Sequence, residues 1–225
     1  MLERINPRKF LTYNLILIAI LLAGNITGII FKFGFNHDYV YGLVPLFNFD
    51  TETNIPTIYS ACALLFSSFL LFTIGHKNKL ASTPYVAWLA LALIFVFLAI
   101  DDTFIIHENL IVPVRESLGT SGLFFYAWVI PYGIGLLFFL LIFSKFLITL
   151  PKKSLIYFVA SGAVFVTGAI GFELIGGQHA EIHGRENVAY AMITTTEELL
   201  EMVGIAFFIY SLFHHIQHYA PQTEK

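Results

Sequence analysis

Charge is what this chain lacks most. Only 12% of its 225 residues are Asp, Glu, Lys or Arg, about half the roughly 25% of an ordinary soluble domain. With 57% hydrophobic residues and a mean hydropathy of +0.78, a water-soluble globule is excluded, because too much apolar surface would face water. Cysteine is nearly absent. Cys62 stands alone, which rules out an intrachain disulfide and a cysteine-held metal cluster. No run of alternating ten-residue segments suggests a membrane barrel. The G-x-S-x-G and H-E-x-x-H motifs and a phosphate-cradling glycine loop are missing too.

What remains is six long apolar runs, at about 10–32, 56–75, 84–106, 122–147, 155–176 and 190–213. Each is near or above the roughly 20 residues that carry a helix across a ~30 Å hydrocarbon layer. The expected fold is all-α, an integral membrane bundle of six transmembrane helices forming one domain over residues 1–225. The first run follows "MLERINPRK", which looks like the basic start of a secretory signal. It is too long for a signal core and has no small-residue cleavage site, so it reads as a retained helix.

Basic residues orient the bundle. Arg4, Arg8, Lys9, Lys77, Lys79, Lys145, Lys152, Lys153 and Lys225 fall on one side, and only Lys32, Arg115 and Arg185 on the other. The positive-inside rule then places both termini in the cytoplasm, and a bacterial inner (plasma) membrane is the expected location. Tyr126, Trp128 and Tyr132 fall near the outer boundary and Tyr85 and Trp88 near the inner one, as interfacial anchors would. Gly162, Gly168 and Gly171 are expected to allow close helix packing, Gly176-Gly177 to end the fifth span, and Pro131 to kink the fourth.

The acidic residues are sorted more sharply. Only Glu3 and Glu224 fall on the inner side, and Asp38, Glu116, Glu181 and Glu186 read as solvated loop charges. The rest lie where charge is costly. Asp101 and Asp102 end the third span in "AIDDTFIIHENL", Glu173 ends the fifth, and "TTTEELLEM" puts Glu197, Glu198 and Glu201 inside the sixth. All six are expected at one depth, in the outer third of the bilayer. Should the third helix continue past the lipid boundary, Glu108 would share the face of Asp101. Two like charges ~4 Å apart repel by roughly 4 kcal/mol at an effective dielectric of 20. Protons or bound cations must compensate. Asp102 alone could be a lipid-edge residue reaching for water, but glutamates one turn apart inside a span cannot all reach it.

Carboxylates with one histidine suit zinc, iron or manganese, while calcium prefers oxygen alone. The expected cofactor is a divalent metal ion, one of zinc, iron, manganese or calcium, on Asp101, His107, Glu108, Glu173, Glu197, Glu198 and Glu201. His107 and Glu108 are the expected catalytic pair, moving a proton. Glu198-x-x-Glu201 is present but no Glu-x-x-His, so the donors match the dinuclear bundles and the spacing does not. Asp50, Glu52 and Asn54 open like a calcium loop, but Ile55 and Ala61 replace its glycine and glutamate, which favours helix capping. Whether these three join the site, together with His179 and His183, stays open. His214, His215 and His218 read as helix-end residues.

These features favour a metal-dependent membrane enzyme working at the outer surface on a lipid or other membrane-associated substrate. Alternatives are an ion- or proton-coupled transporter, or a non-catalytic assembly or sensor protein. The polar residues below the cluster, mainly Ser67, Ser68, Thr73 and Ser211, make a sparse transport path. The bilayer is the expected partner, and no nucleic acid is expected to bind. The stretches "LFNFDTETNIPTIYS", "AIDDTFIIHE", "GFELIGG" and "TTTEELLEM" together resemble a family of small bacterial multi-pass, six-helix membrane proteins. The resemblance covers residues 45–213 and implies that these stretches form one unit; it brings no reaction.

Overall fold

Proline and asparagine mark where the helices begin. Asn6 accepts the amides of Arg8 and Lys9 ahead of Pro7, and Asn54 accepts the amide of Thr57 ahead of Pro56. Asn187 caps the last helix through Tyr190. Each replaces a bond the first turn cannot make for itself. The structure, a computed structural model, describes residues 2–221. Glu224 and Lys225 lie outside the described residues, as does the side chain of Glu3.

Nine α-helices follow in order: α1 (Pro7–Ile29), α2 (Leu43–Phe47), α3 (Ile55–Leu80), α4 (Val86–Phe104), α5 (Ile111–Leu118), α6 (Val129–Thr149), α7 (Lys152–Val166), α8 (Glu173–His183) and α9 (Val188–His218). No strand occurs among the described residues. A π turn, Ile30–Gly34, extends α1, and a second, Thr167–Phe172, joins α7 to α8. Six continuous segments are long and apolar enough to cross a membrane: Pro7–Gly34, Ile55–Leu80, Val86–Phe104, Val129–Thr149, Lys152–His183 and Val188–His218. The fold is the expected all-α multi-pass architecture.

α9 is its axis, packed against α1, α3 and α7, while α3 pairs with α4. Leu70, Leu71 and Ile74 of α3 meet Leu212, Phe213 and Ile216 of α9 in a core where all six are 0% exposed. α6 is peripheral and turns Leu137, Phe138, Leu141 and Ile142 outward, as a helix solvated by lipid does. Because successive spans alternate in direction, the eight described basic residues from Arg4 to Lys153 other than Lys32 and Arg115 collect at one end. Thirteen acids collect at or toward the other end, with Lys32, Arg115 and Arg185.

Several local expectations are corrected. Gly168 does allow close approach, since a Cβ there would sit 2.7 Å from the Glu197 carbonyl, but Gly162 has open space and Gly171 meets only its own turn. The stronger contact is at Gly204, where a Cβ would lie 2.7 Å from the Phe165 amide nitrogen. Gly176-Gly177 does not end the fifth span, which runs on to His183; both glycines are buried, and Gly177 packs on Tyr126. Pro131 sits in the first turn of α6, where no helical donor is lost and no kink is needed. Trp88, Tyr126 and Trp128 are 3%, 3% and 6% exposed. They are packed inside the bundle rather than standing at its lipid boundary.

Candidate functional site

The end of α4 sets the geometry of the acidic region. The helix does not continue past Phe104; it stops at Ile105, a β-branched residue held at φ 56°. That left-handed conformation is costly for isoleucine and belongs with the strained positions found at working sites. It turns the chain back so that the His107 amide donates to Asp101 Oδ1 at 2.9 Å and His107 Nδ1 meets Asp101 Oδ2 at 3.3 Å. Tyr132, from α6, donates its hydroxyl to Asp101 Oδ1 at 2.8 Å. Asp101 is buried and fully engaged. Glu108 ends up exposed in the following 3-10 turn, so it shares no helix face with Asp101.

His107 leads on to the fifth and sixth spans. Its ring lies 4.7 Å from that of Trp128, and Trp128 Nε1 donates to Glu173 Oε1 at 2.5 Å. Glu173 in turn lies within electrostatic range of Glu197. A relay of polar groups thus runs from α4 through Trp128 to α9. The π turn Thr167–Phe172 ends immediately before Glu173, and Gly168 inside it brings the turn against Glu197 and Glu201. Such turns recur where a helix must re-aim a functional side chain.

A second group of acids lies beside the first. Glu198 is within electrostatic range of Glu201, Glu52, Asp102 and Glu173. Glu201 is in range of Asp102, Glu173, Glu52 and Asp101. Asp102 Oδ2 is buried with no hydrogen-bond partner among the described residues. A buried, orphaned carboxylate oxygen needs a proton, a water or a cation. The nearby bases are committed elsewhere. Lys32 pairs with Glu186 at 2.8 Å, Arg115 lies over Phe125 at 4.4 Å, and Arg185 lies over Tyr126 at 4.8 Å. Among the described residues, no three His, Cys, Asp or Glu side chains converge closely enough to hold a metal ion as they stand.

The loop residues divide. Glu52 faces the cluster, accepting from Thr57 Oγ1 at 3.0 Å. Burial holds its pKa above the ordinary carboxylate range; Thr57 and His107 oppose that shift, and Glu108 and Asp101 add to it. Asp50 has its pKa pushed up to about 6 by burial, against Arg185 and Lys32, although it keeps an exposed edge that weakens the effect. Asn54 ties the loop to α3 through Asn48, Thr51 and Thr57 and is a cap. His179 bonds Asn187 at 2.9 Å and lies in tilted ring contact with His183 at 4.9 Å, which supports the turn into α9. For His107, burial lowers the pKa, but Asp101, Glu108 and Glu173 outweigh it and the net shift is upward.

Two participants escaped the sequence reading. Asn25 of α1, 2% exposed, donates to Thr195 Oγ1 at 2.8 Å and accepts the Phe49 amide at 3.0 Å, locking the first span and the Asp50 loop onto α9. A lone amide in an otherwise apolar helix was the available signal. Trp128 looked like a boundary aromatic, and only the fold reveals its bond to Glu173.

A family model described as a domain of unknown function (DUF8692) matches residues 14–215. Comparison with curated proteins and with solved structures finds no match. The chain belongs to the DUF8692 family.

Proposed function

We propose that this member of the DUF8692 family is a membrane protein whose working part is the acidic end of the bundle, and that it takes up a divalent cation there. The observation that carries this reading is Asp102 Oδ2, buried without a partner beside Glu52, Glu198 and Glu201. The donor set suits manganese, iron, zinc or calcium. No three of its members converge among the described residues as they stand; Asp102, Glu198 and Glu201 would hold the ion. When bound, such an ion supplies Lewis acidity. The chain's own chemistry is proton handling. His107, held through Nδ1 by Asp101, keeps Nε2 for accepting or giving a proton, and exposed Glu108 is its neighbour toward bulk water. This supports a metal-dependent enzyme acting on a lipid or another membrane-associated substrate. Glu173 and Glu197, which lie within electrostatic range of each other, would be the proton store of that site.

The crowding of Glu197 and Glu198 with Glu173 and Glu201 favours a second reading, proton- or ion-coupled transport, in which Glu197 and Glu198 load and release the coupling ion. We further read the six spans as one domain, residues 1–225, in a bacterial inner membrane. The basic end and both termini face the cytoplasm, because eight described basic residues crowd that end.

Elemental analysis of protein purified without chelator, paired with melting curves in calcium, zinc, manganese and iron, tests the cation reading. A stoichiometric metal, or a saturable rise in melting temperature with one of the four, is the expected result. Metal-free protein that is indifferent to all four contradicts it, and ion flux in reconstituted vesicles would then decide for transport.

A further inference from the structure

The opposite end of the bundle carries a cleft that the acidic site does not use. It has a volume of about 660 Å³ and opens between the chain start, the first turns of α7 and the last turns of α9. Arg4, Arg8, Lys153, His214 and His218 line it, with the hydroxyl-bearing rings of Tyr157 and Tyr210. None of the described lining residues is acidic. Arg4, Arg8 and Lys153 have no ion-pair partner among the described residues. Three cations around one cavity repel each other, and no acidic residue among the described ones offsets them.

The cleft is built rather than incidental. Gln217 Nε2 donates to the Ile5 carbonyl at 2.5 Å and fastens the chain start to α9. Asn6 caps α1 at the rim, so the positive end of that helix also faces this region. His214 and His218 stack at 4.3 Å, Tyr157 meets the His214 ring edge-on at 5.3 Å, and His214 Nδ1 is buried without a partner among the described residues. Guanidinium forks, an ammonium and imidazole and phenol donors are the set that recognises phosphate oxygens.

Depth in the fold points to the source of the phosphate. α1 and α7 both begin at the cleft and α9 ends there, so it lies level with lipid headgroups. A phosphate seated there leaves acyl chains free to run beside the apolar spans. We propose that this cleft binds a phosphate group, and that the group is the headgroup phosphate of an anionic phospholipid. The proposal is independent of what the acidic end binds.

The test uses purified full-length protein in a neutral detergent, melted with added phosphatidylglycerol, phosphatidylcholine or inorganic phosphate. Native mass spectrometry counts the retained phosphatidylglycerol. The double variant Arg8→Gln/Lys153→Gln is compared with Lys79→Gln/Lys145→Gln, which removes two charges from the same end outside the cleft. Phosphatidylglycerol should raise the melting temperature saturably and phosphatidylcholine should not. The cleft variant should lose apparent affinity on the order of tenfold or more, and the control variant should lose little. A response to inorganic phosphate equal to that of the lipid keeps the phosphate site and assigns it to a free anion. Equal responses to both lipids, no response to any of the three probes, or equal losses in the two variants would overturn the proposal. Both pairs of side chains are exposed apart from their contacts at the rim, so the variants should fold; should the cleft variant melt early, its retained-lipid count still decides.

Discussion

The two halves of α9 are packed in opposite ways. From Met202 to Ile216 the helix is the centre of the core: Met202, Leu212, Phe213 and Ile216 are 0% exposed. Ser211 there is bonded to the Phe207 carbonyl and His215 to Ser154. From Thr194 to Glu201 the same helix carries three half-buried glutamates beside Asp102 and Glu52, and among the described residues no Lys or Arg forms an ion pair with them. One half follows the packing rules and the other breaks them. Departures of that kind belong to function, and their cost is borne by the well-packed remainder.

Breaking the packed half should have the largest effect. Leu212→Ala leaves a hole where no surface is exposed, and a loss of about 2–5 kcal/mol is expected, read as a fall in melting temperature with the response to cations unchanged. A small loss there would mean that the core does not hold the bundle. Gly168→Ala acts at the junction of the two halves. Its new methyl lies 2.7 Å from the Glu197 carbonyl and 3.0 Å from Glu201 Cγ, so the expected cost is about 1–3 kcal/mol. Unlike Leu212→Ala, it should also weaken any cation-induced shift, because it displaces the glutamates themselves.

Trp128→Phe keeps a ring beside His107 and removes the donor to Glu173. About 1–2 kcal/mol of stability should be lost, with a changed pH response as the distinguishing sign. The smallest effect expected is the pH dependence of the metal-free protein. Glu52, Asp50 and His107 all have folded pKa values above their ordinary ones, through burial for the two acids and through Asp101 for the histidine. Groups shifted upward add stability that is complete below the unfolded pKa and lost as pH rises through the folded one. Melting in chelator should therefore be higher at pH 5 than at pH 7.5, and Glu52→Gln should narrow the difference. A protein that melts higher at pH 7.5 would mean the acidic end is compensated by some other group.

The six spans were legible because apolar runs of membrane length have few alternative fates. The concentration of acids at one end was legible too, since it follows once the spans alternate. What could not be read were features that depend on a single φ angle or on a partner far along the chain. The left-handed Ile105 decides that His107 folds back and Glu108 does not, and no propensity points to isoleucine there. Trp128 and Glu173 are 45 residues apart, and Asn25 and Thr195 are 170 apart. The glycines show the same limit: Gly162, Gly168 and Gly171 are alike in sequence, and only the facing helix singles out Gly168.

Glu198→Gln tests the central claim most directly, because glutamine keeps the shape and removes the charge. Glu198 lies within electrostatic range of Glu201, Glu52, Asp102 and Glu173, so removing its charge should relieve repulsion in the cation-free protein. A neutral amide is also a poorer ligand than a carboxylate. Wild type and variant are melted at neutral pH in chelator and again with the cation that stabilises wild type most. The expected result is a variant melting at or above wild type in chelator, with a smaller shift when the cation is added. A variant less stable under both conditions, with an undiminished cation shift, would contradict the account and make Glu198 a structural residue.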